Sequence, residues 1–116
     1  MAINFIVKKC QPCQAGSGKL SEAAIAEYLP LVPNWTMDAA AHEGKGELRR
    51  TFKFKNYHES MAFVNATAWV SHREDHHPDI ELGYNKVTMR YTTHSAGGVT
   101  ENDFICAAKV DALVNM

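Results

Sequence analysis

Residues 47–75 read ELRRTFKFKNYHESMAFVNATAWVSHRED, and within them the period of the chain changes once. Over 47–54, Leu48, Arg50, Phe52 and Phe54 alternate with Glu47, Arg49, Thr51 and Lys53, the period of two expected of a strand with one covered face. At Asn56 the pattern switches. Asn56 followed three residues later by Glu59 resembles a capping box and opens a helix to about residue 75. Tyr57, Met61, Val64 and Ala68 share one face, widened by Phe63, Ala66 and Val70, so this is predicted to be the main helix packed on a sheet.

Working back toward the N-terminus, 41–46 is a polar turn and Asn34-Trp35-Thr36-Met37 a short strand. Ser21 caps a helix to about residue 29, with Ala24, Ile25, Tyr28 and Leu29 at helical spacing, and Pro30 and Pro33 end it. The first 20 residues, carrying Cys10-Gln-Pro-Cys13 and a glycine-serine run, read as a flexible leader, which leaves 21–116 as the domain. Working forward, Pro78 pushes His77 toward an extended conformation. Ile80 and Leu82 alternate with Glu81, Gly83-Tyr84-Asn85 supplies turn chemistry, and Val87, Met89 and Tyr91 alternate with Lys86, Thr88, Arg90 and Thr92: a hairpin. Thr100 with Asp103 repeats the cap signal before a final helical face of Phe104, Ile105, Ala108 and Ala112. The order α-β-β-α-β-β-α, with short turns between strands, predicts an α+β single domain: a four-stranded antiparallel sheet with helices packed on one face.

The 116 residues suit one domain. A net charge of −1 with both signs interspersed carries no footprint of a nucleic-acid or anionic-membrane binder. No apolar run approaches the roughly 20 residues that cross a bilayer. Three cysteines, an odd number without a disulfide framework, agree with a reducing compartment, and a cytoplasmic location is expected. Cys10 and Cys13 form a lone CxxC without the second half of a zinc motif.

Four of the six histidines fall between His72 and His94, three of them around His76-His77-Pro78. Imidazole is the side chain that exchanges protons near neutrality without help, so the cluster is a candidate site. His72 and His76, four apart, would share the last turn of the long helix. His94 ends the last strand before a glycine-bearing loop, where backbone can approach a ligand. Three readings compete: histidines without a joint role; a zinc site of two helical histidines and a third from a strand, although HExxH is absent; and metal-free acid-base catalysis by imidazoles on two sides of a small heterocycle. His42 and His58 read as solvated.

His72, three residues, His76-His77-Pro78, five residues, Tyr84, nine residues, His94, eight residues, Asp103: this spacing resembles the signature of the pterin-4a-carbinolamine dehydratases over 32 positions. Trp35, Phe52-Lys53-Phe54, Tyr84-Asn85-Lys86-Val87 and Thr93-His94 resemble the same family, and the likeness runs from about residue 21 to the C-terminus. The place of His72 is often glutamate in relatives. The resemblance implies elimination of water from a 4a-hydroxy-tetrahydropterin to give quinonoid dihydropterin, without cofactor or metal, in step with an aromatic amino-acid hydroxylase. It implies His76, His77 and His94 as the catalytic set, with Asp103 orienting His94 or meeting the substrate. Trp35, Tyr84, Thr92 and Thr93 are the residues expected around the pterin. It further implies a homodimer or homotetramer. The alternative is a binding role, as in animal relatives that serve as dimerisation partners of a homeodomain transcription factor.

Overall fold

The alternation along 47–54 forms a strand and the switch at Asn56 forms a helix, at the places the period assigns them. The structure, a computed structural model, describes residues 3–12 and 18–114. In chain order the elements are α1 (Glu22–Tyr28), β1 (Thr36–Asp38), α2 (Ala41–Gly44), β2 (Glu47–Lys53), α3 (Tyr57–Glu74), β3 (Asp79–Leu82), β4 (Lys86–Tyr91) and α4 (Glu101–Val114). The four strands make one antiparallel sheet of order β1-β2-β4-β3. α2 is an addition to the expected order, a single turn where a polar loop was predicted.

Register decides which side of the sheet is dry. Leu48 pairs with Tyr91, Arg50 with Met89 and Phe52 with Val87, and all of these except Arg50 are buried on the helix side. The intervening pairs Arg49–Arg90, Thr51–Thr88 and Lys53–Lys86 hold the other face. α3 and α4 supply Phe63, Phe104, Ile105 and Val110 to the core, each large side chain contributing about 1.5–3 kcal/mol by leaving water.

The buried stripe of α3 differs from the predicted one. Ser60, Phe63, Thr67, Ser71 and Glu74 are buried, whereas Tyr57 is 47% exposed and Ala68 is on the surface. The hydroxyls can face the core because the helix satisfies them: Ser60 donates to the Asn56 carbonyl at 3.1 Å, Thr67 to Val64 at 2.8 Å and Ser71 to Thr67 at 3.1 Å. The cap is as expected at its first arm, Asn56 Oδ1 accepting from the Glu59 amide at 2.9 Å. The return arm goes from the Lys55 amide to Glu59 at 2.9 Å.

Residues 3–12, read from the sequence as part of a flexible leader, pack on the domain. Phe5 is buried and stacks on Phe104 at 5.9 Å, with Tyr28 edge-on at 5.2 Å. Cys13 and the glycine-serine run up to 17 lie outside the described residues.

Candidate active site

The chain reverses at Asp75, which takes left-handed angles (φ 50°) and caps α3. His76 therefore lies beyond the helix, and the expected pairing of His72 and His76 on one helical face does not form. His72 is exposed beside Trp69. His76 instead turns inward, its ring parallel to that of Tyr91 at 6.1 Å and 8°. Burial first, then the nearby Cys106 and Asp103, push the Tyr91 phenol well above its ordinary range, so this support is uncharged.

Asp103 is the hub. It is fully buried in the first turn of α4 and its Oδ1 lies 2.6 Å from Nε2 of His76. Its Oδ2 accepts from the Thr93 hydroxyl and the Thr100 amide, both at 2.9 Å. Thr93 has one hydroxyl proton and gives it to Asp103, so Thr100 donates at 2.9 Å to Thr93. A carboxylate only accepts, so His76 donates through Nε2 and keeps Nδ1 as its acceptor. Asp103 thus serves both as a capping acid and as the partner of His76, and it is His76 rather than His94 that it orients.

This assembly opens into a cleft of about 610 Å³. His76, Thr93, Ser95, Glu74, Asn102 and residues 9–12 are among those that line it. The N-terminal wall is tied down: Cys10 N–H donates to Glu74 at 2.8 Å, Gln11 N–H to Asn102 at 3.0 Å, and the Asn102 amide back to the Gln11 carbonyl at 2.6 Å. Burial works to raise the Glu74 carboxyl, but the Cys10 amide and the Lys109 ammonium outweigh it and hold the group below the usual range. Sequence reasoning missed Glu74, Asn102 and this wall, because glycine and serine farther along masked the apolar anchor Phe5.

The other expected residues separate into two groups. Thr93 is at the centre, and Thr92 beside it donates to the Gly46 carbonyl at 2.9 Å. His94 follows at once, heading a 3₁₀ turn (His94–Ala96); its ring meets His42 at 5.4 Å while its neighbours Thr93 and Ser95 line the cleft. His77 is exposed. Trp35 is 3% exposed inside the core, packed 5.9 Å from Tyr91 and bonded through Nε1 to Asp111 at 2.8 Å. It supports the floor beneath Tyr91 instead of walling the cleft. Tyr84 is 67% exposed in the β3–β4 turn, at the opposite end of β4 from Tyr91 and His76. Among the described residues no three His, Cys, Asp or Glu side chains gather as a metal site would need.

This arrangement can be set against known proteins. A family model described as pterin 4 alpha carbinolamine dehydratase matches residues 18–113. A Nitrosospira multiformis protein, provisionally named for that activity, is 52% identical over 110 residues, 95% of this chain and 92% of its own length. A Dechloromonas aromatica protein of the same provisional name is 46% identical, covering 97% of this chain and 96% of its own. Among solved structures, a transcriptional coactivator/pterin dehydratase from Brucella melitensis superposes with a TM-score of 0.74 at 33% identity, over 82% of this chain and 97% of that one. A pterin dehydratase-like protein described as a RuBisCO assembly factor in the alpha-carboxysome reaches 0.58 at 28%, over 69% and 88%. With a buried aspartate holding the first histidine of the HHP motif, and likeness across nearly the whole chain, the protein belongs to the pterin-4a-carbinolamine dehydratase family.

Proposed function

We propose that the protein is a hydro-lyase that removes water from a 4a-hydroxy-tetrahydropterin by histidine acid-base catalysis. A protonated imidazole delivers its proton to the 4a-hydroxyl as the C4a–O bond breaks. A neutral imidazole takes the proton from the adjacent ring nitrogen, leaving a carbon–nitrogen double bond. One proton enters and one leaves, so the products are quinonoid dihydropterin and water. Each positioned group is worth about 100- to 10,000-fold. The catalytic set is His76, His77 and His94, with Thr93 on the substrate side and Asp103 positioning His76 from behind.

The observation that supports this reading most is His76, held by buried Asp103 at 2.6 Å on the wall of the cleft. Its Nε2 proton is engaged by Asp103, so Nδ1 is the atom left to accept. Ser95 and Glu74 add polar groups on the same surface, able to meet the amide-like edge of a pterin. The reading makes an aromatic amino-acid hydroxylase the source of substrate and the cytoplasm its place.

The test is dehydration of freshly generated 4a-hydroxy-tetrahydropterin by wild type, His76→Ala and His94→Ala, all confirmed as folded. Wild type should exceed the spontaneous rate, and each variant should lose about 100-fold or more. Folded wild type without acceleration would refute the enzyme and leave a binding role, the kind that the names of the two structural neighbours attach to those proteins.

A further inference from the structure

Nothing in the sequence distinguishes His42 from a solvated side chain, yet the fold places it against His94. The two rings meet edge to face, centroids 5.4 Å apart and planes at 86°. On its other side, His42 Nε2 lies 2.9 Å from Oε1 of Glu47, whose side chain is only 5% exposed. The second Glu47 oxygen faces Arg90 Nε at 3.3 Å. A buried carboxylate therefore fixes His42, and His42 is the group in contact with the ring of His94.

The backbone around His42 is strained to achieve this. His42 and Glu43 are both left-handed, at φ 54° and 59°, a region that residues other than glycine rarely occupy. Two such residues in succession persist only where the surroundings hold them. Here the Gly46 amide closes on the Ala41 carbonyl at 2.8 Å, and Thr92, two residues before His94, binds the Gly46 carbonyl at 2.9 Å. Gly46 itself sits at φ 89°, a conformation that residues with a side chain rarely adopt. The turn is thus fastened to the strand end that carries His94.

We infer that His42 is a positioning residue for His94: the edge of its ring sets the orientation of the His94 imidazole. The inference rests on the reading in which His94 transfers a proton during dehydration. Proton transfer needs an imidazole held within hydrogen-bond reach and in line. His76 has Asp103 for this purpose. His94 has no side-chain hydrogen bond among the described residues, so its orientation depends on ring contact, and His42 supplies it.

Two substitutions separate the ring from the backbone. His42→Asn removes the ring but tolerates the left-handed angles; His42→Phe keeps an aromatic edge toward His94 and gives up the bond to Glu47. Expected is a fall in kcat of about 10-fold in His42→Asn with KM within about twofold, and recovery to within about threefold of wild type in His42→Phe. Cross-relaxation between ring protons of His42 and His94 should be visible by NMR in wild type, and the His94 ring signals should move in His42→Asn. Unchanged kcat in His42→Asn, a loss carried by KM, a His42→Phe no better than His42→Asn, or absent ring-to-ring cross-relaxation would each overturn the inference. Wild type that shows the cross-relaxation yet does not accelerate dehydration would refute the dehydratase reading, and this inference with it.

Discussion

Two aspartates on α4, two turns apart, do opposite work. Asp103 in the first turn is fully buried and faces three donors, the His76 imidazole, the Thr93 hydroxyl and the Thr100 amide. Asp111 in the last turn is partly buried and faces two, Trp35 Nε1 at 2.8 Å and Arg50 at 2.6 Å. Burial nevertheless raises the Asp111 carboxyl, in spite of the downward pull of Trp35 and Arg50. Free amides and the positive end of the helix dipole favour an anion at the first turn, while carbonyls and the negative end oppose one at the last. The same residue on the same helix thus orients a functional histidine at one end and fastens the core under Tyr91 at the other.

The largest expected effect is that of Asp103→Asn. An amide fits the space and its oxygen can accept from Thr93 and Thr100, but its nitrogen only donates, so His76 is forced into the tautomer that accepts at Nε2 and carries its proton on Nδ1. Dehydratase kcat should fall about 100-fold or more. Stability in urea should fall by about 1 kcal/mol, because hydrogen bonds to a charged acceptor become bonds to a neutral one. Retention of activity within about threefold would erase the contrast between the helix ends.

Asp111→Asn should instead leave activity within about twofold and change the pH dependence of stability. Because the folded value of Asp111 is raised, the native state holds the proton more tightly than the unfolded chain. Its contribution is complete below the unfolded value, near 3.9, and is lost as pH rises through the higher folded value. The advantage of wild type over Asp111→Asn should shrink as pH rises from below the unfolded value toward neutrality in denaturant titrations. An advantage that grows with pH would mean that Arg50 more than repays the burial.

Much of this contrast was hidden in the sequence, and the reasons are particular. The sheet was legible because Leu48, Phe52, Val87 and Met89 alternate cleanly and their partners lie a short turn or one helix away. The cap at Asn56 was legible because it is a local pattern. The phase of α3 was not, because Ser60, Thr67 and Ser71 satisfy their hydroxyls on the helix itself and so enter the core while looking polar. Asp103 was visible as a capping acid, and the resemblance marked it, but its hold on His76 depends on the left-handed residue Asp75, which turns the chain just before His76. Trp35 was expected around the pterin, and only its bond to Asp111 across the core puts it beneath Tyr91 instead. His42 offered no periodic signal, since its place is set by a strained turn packed across the sheet edge.

A third carboxylate touches α4 between the two aspartates and sharpens the comparison at the smallest scale. Glu74 reaches from α3 to Lys109 at 3.1 Å and accepts the Cys10 amide at 2.8 Å. Burial alone would raise it, as for Asp111, but here the amide and the ammonium prevail and the folded value is lowered. The sign is therefore reversed: its stabilisation is present above the unfolded value near 4.3 and is lost as pH falls through the folded one. Glu74→Gln should cost about 1 kcal/mol near neutrality, less at pH 3, and should speed hydrogen exchange at the Cys10 amide. The wild-type advantage should rise with pH for Glu74→Gln and fall with pH for Asp111→Asn. Slopes of the same sign would show that the donors at the two sites, and not burial against the end of the helix, had been misjudged. Opposite slopes would establish that a backbone amide with an ammonium outweighs desolvation where an indole N–H with a guanidinium does not.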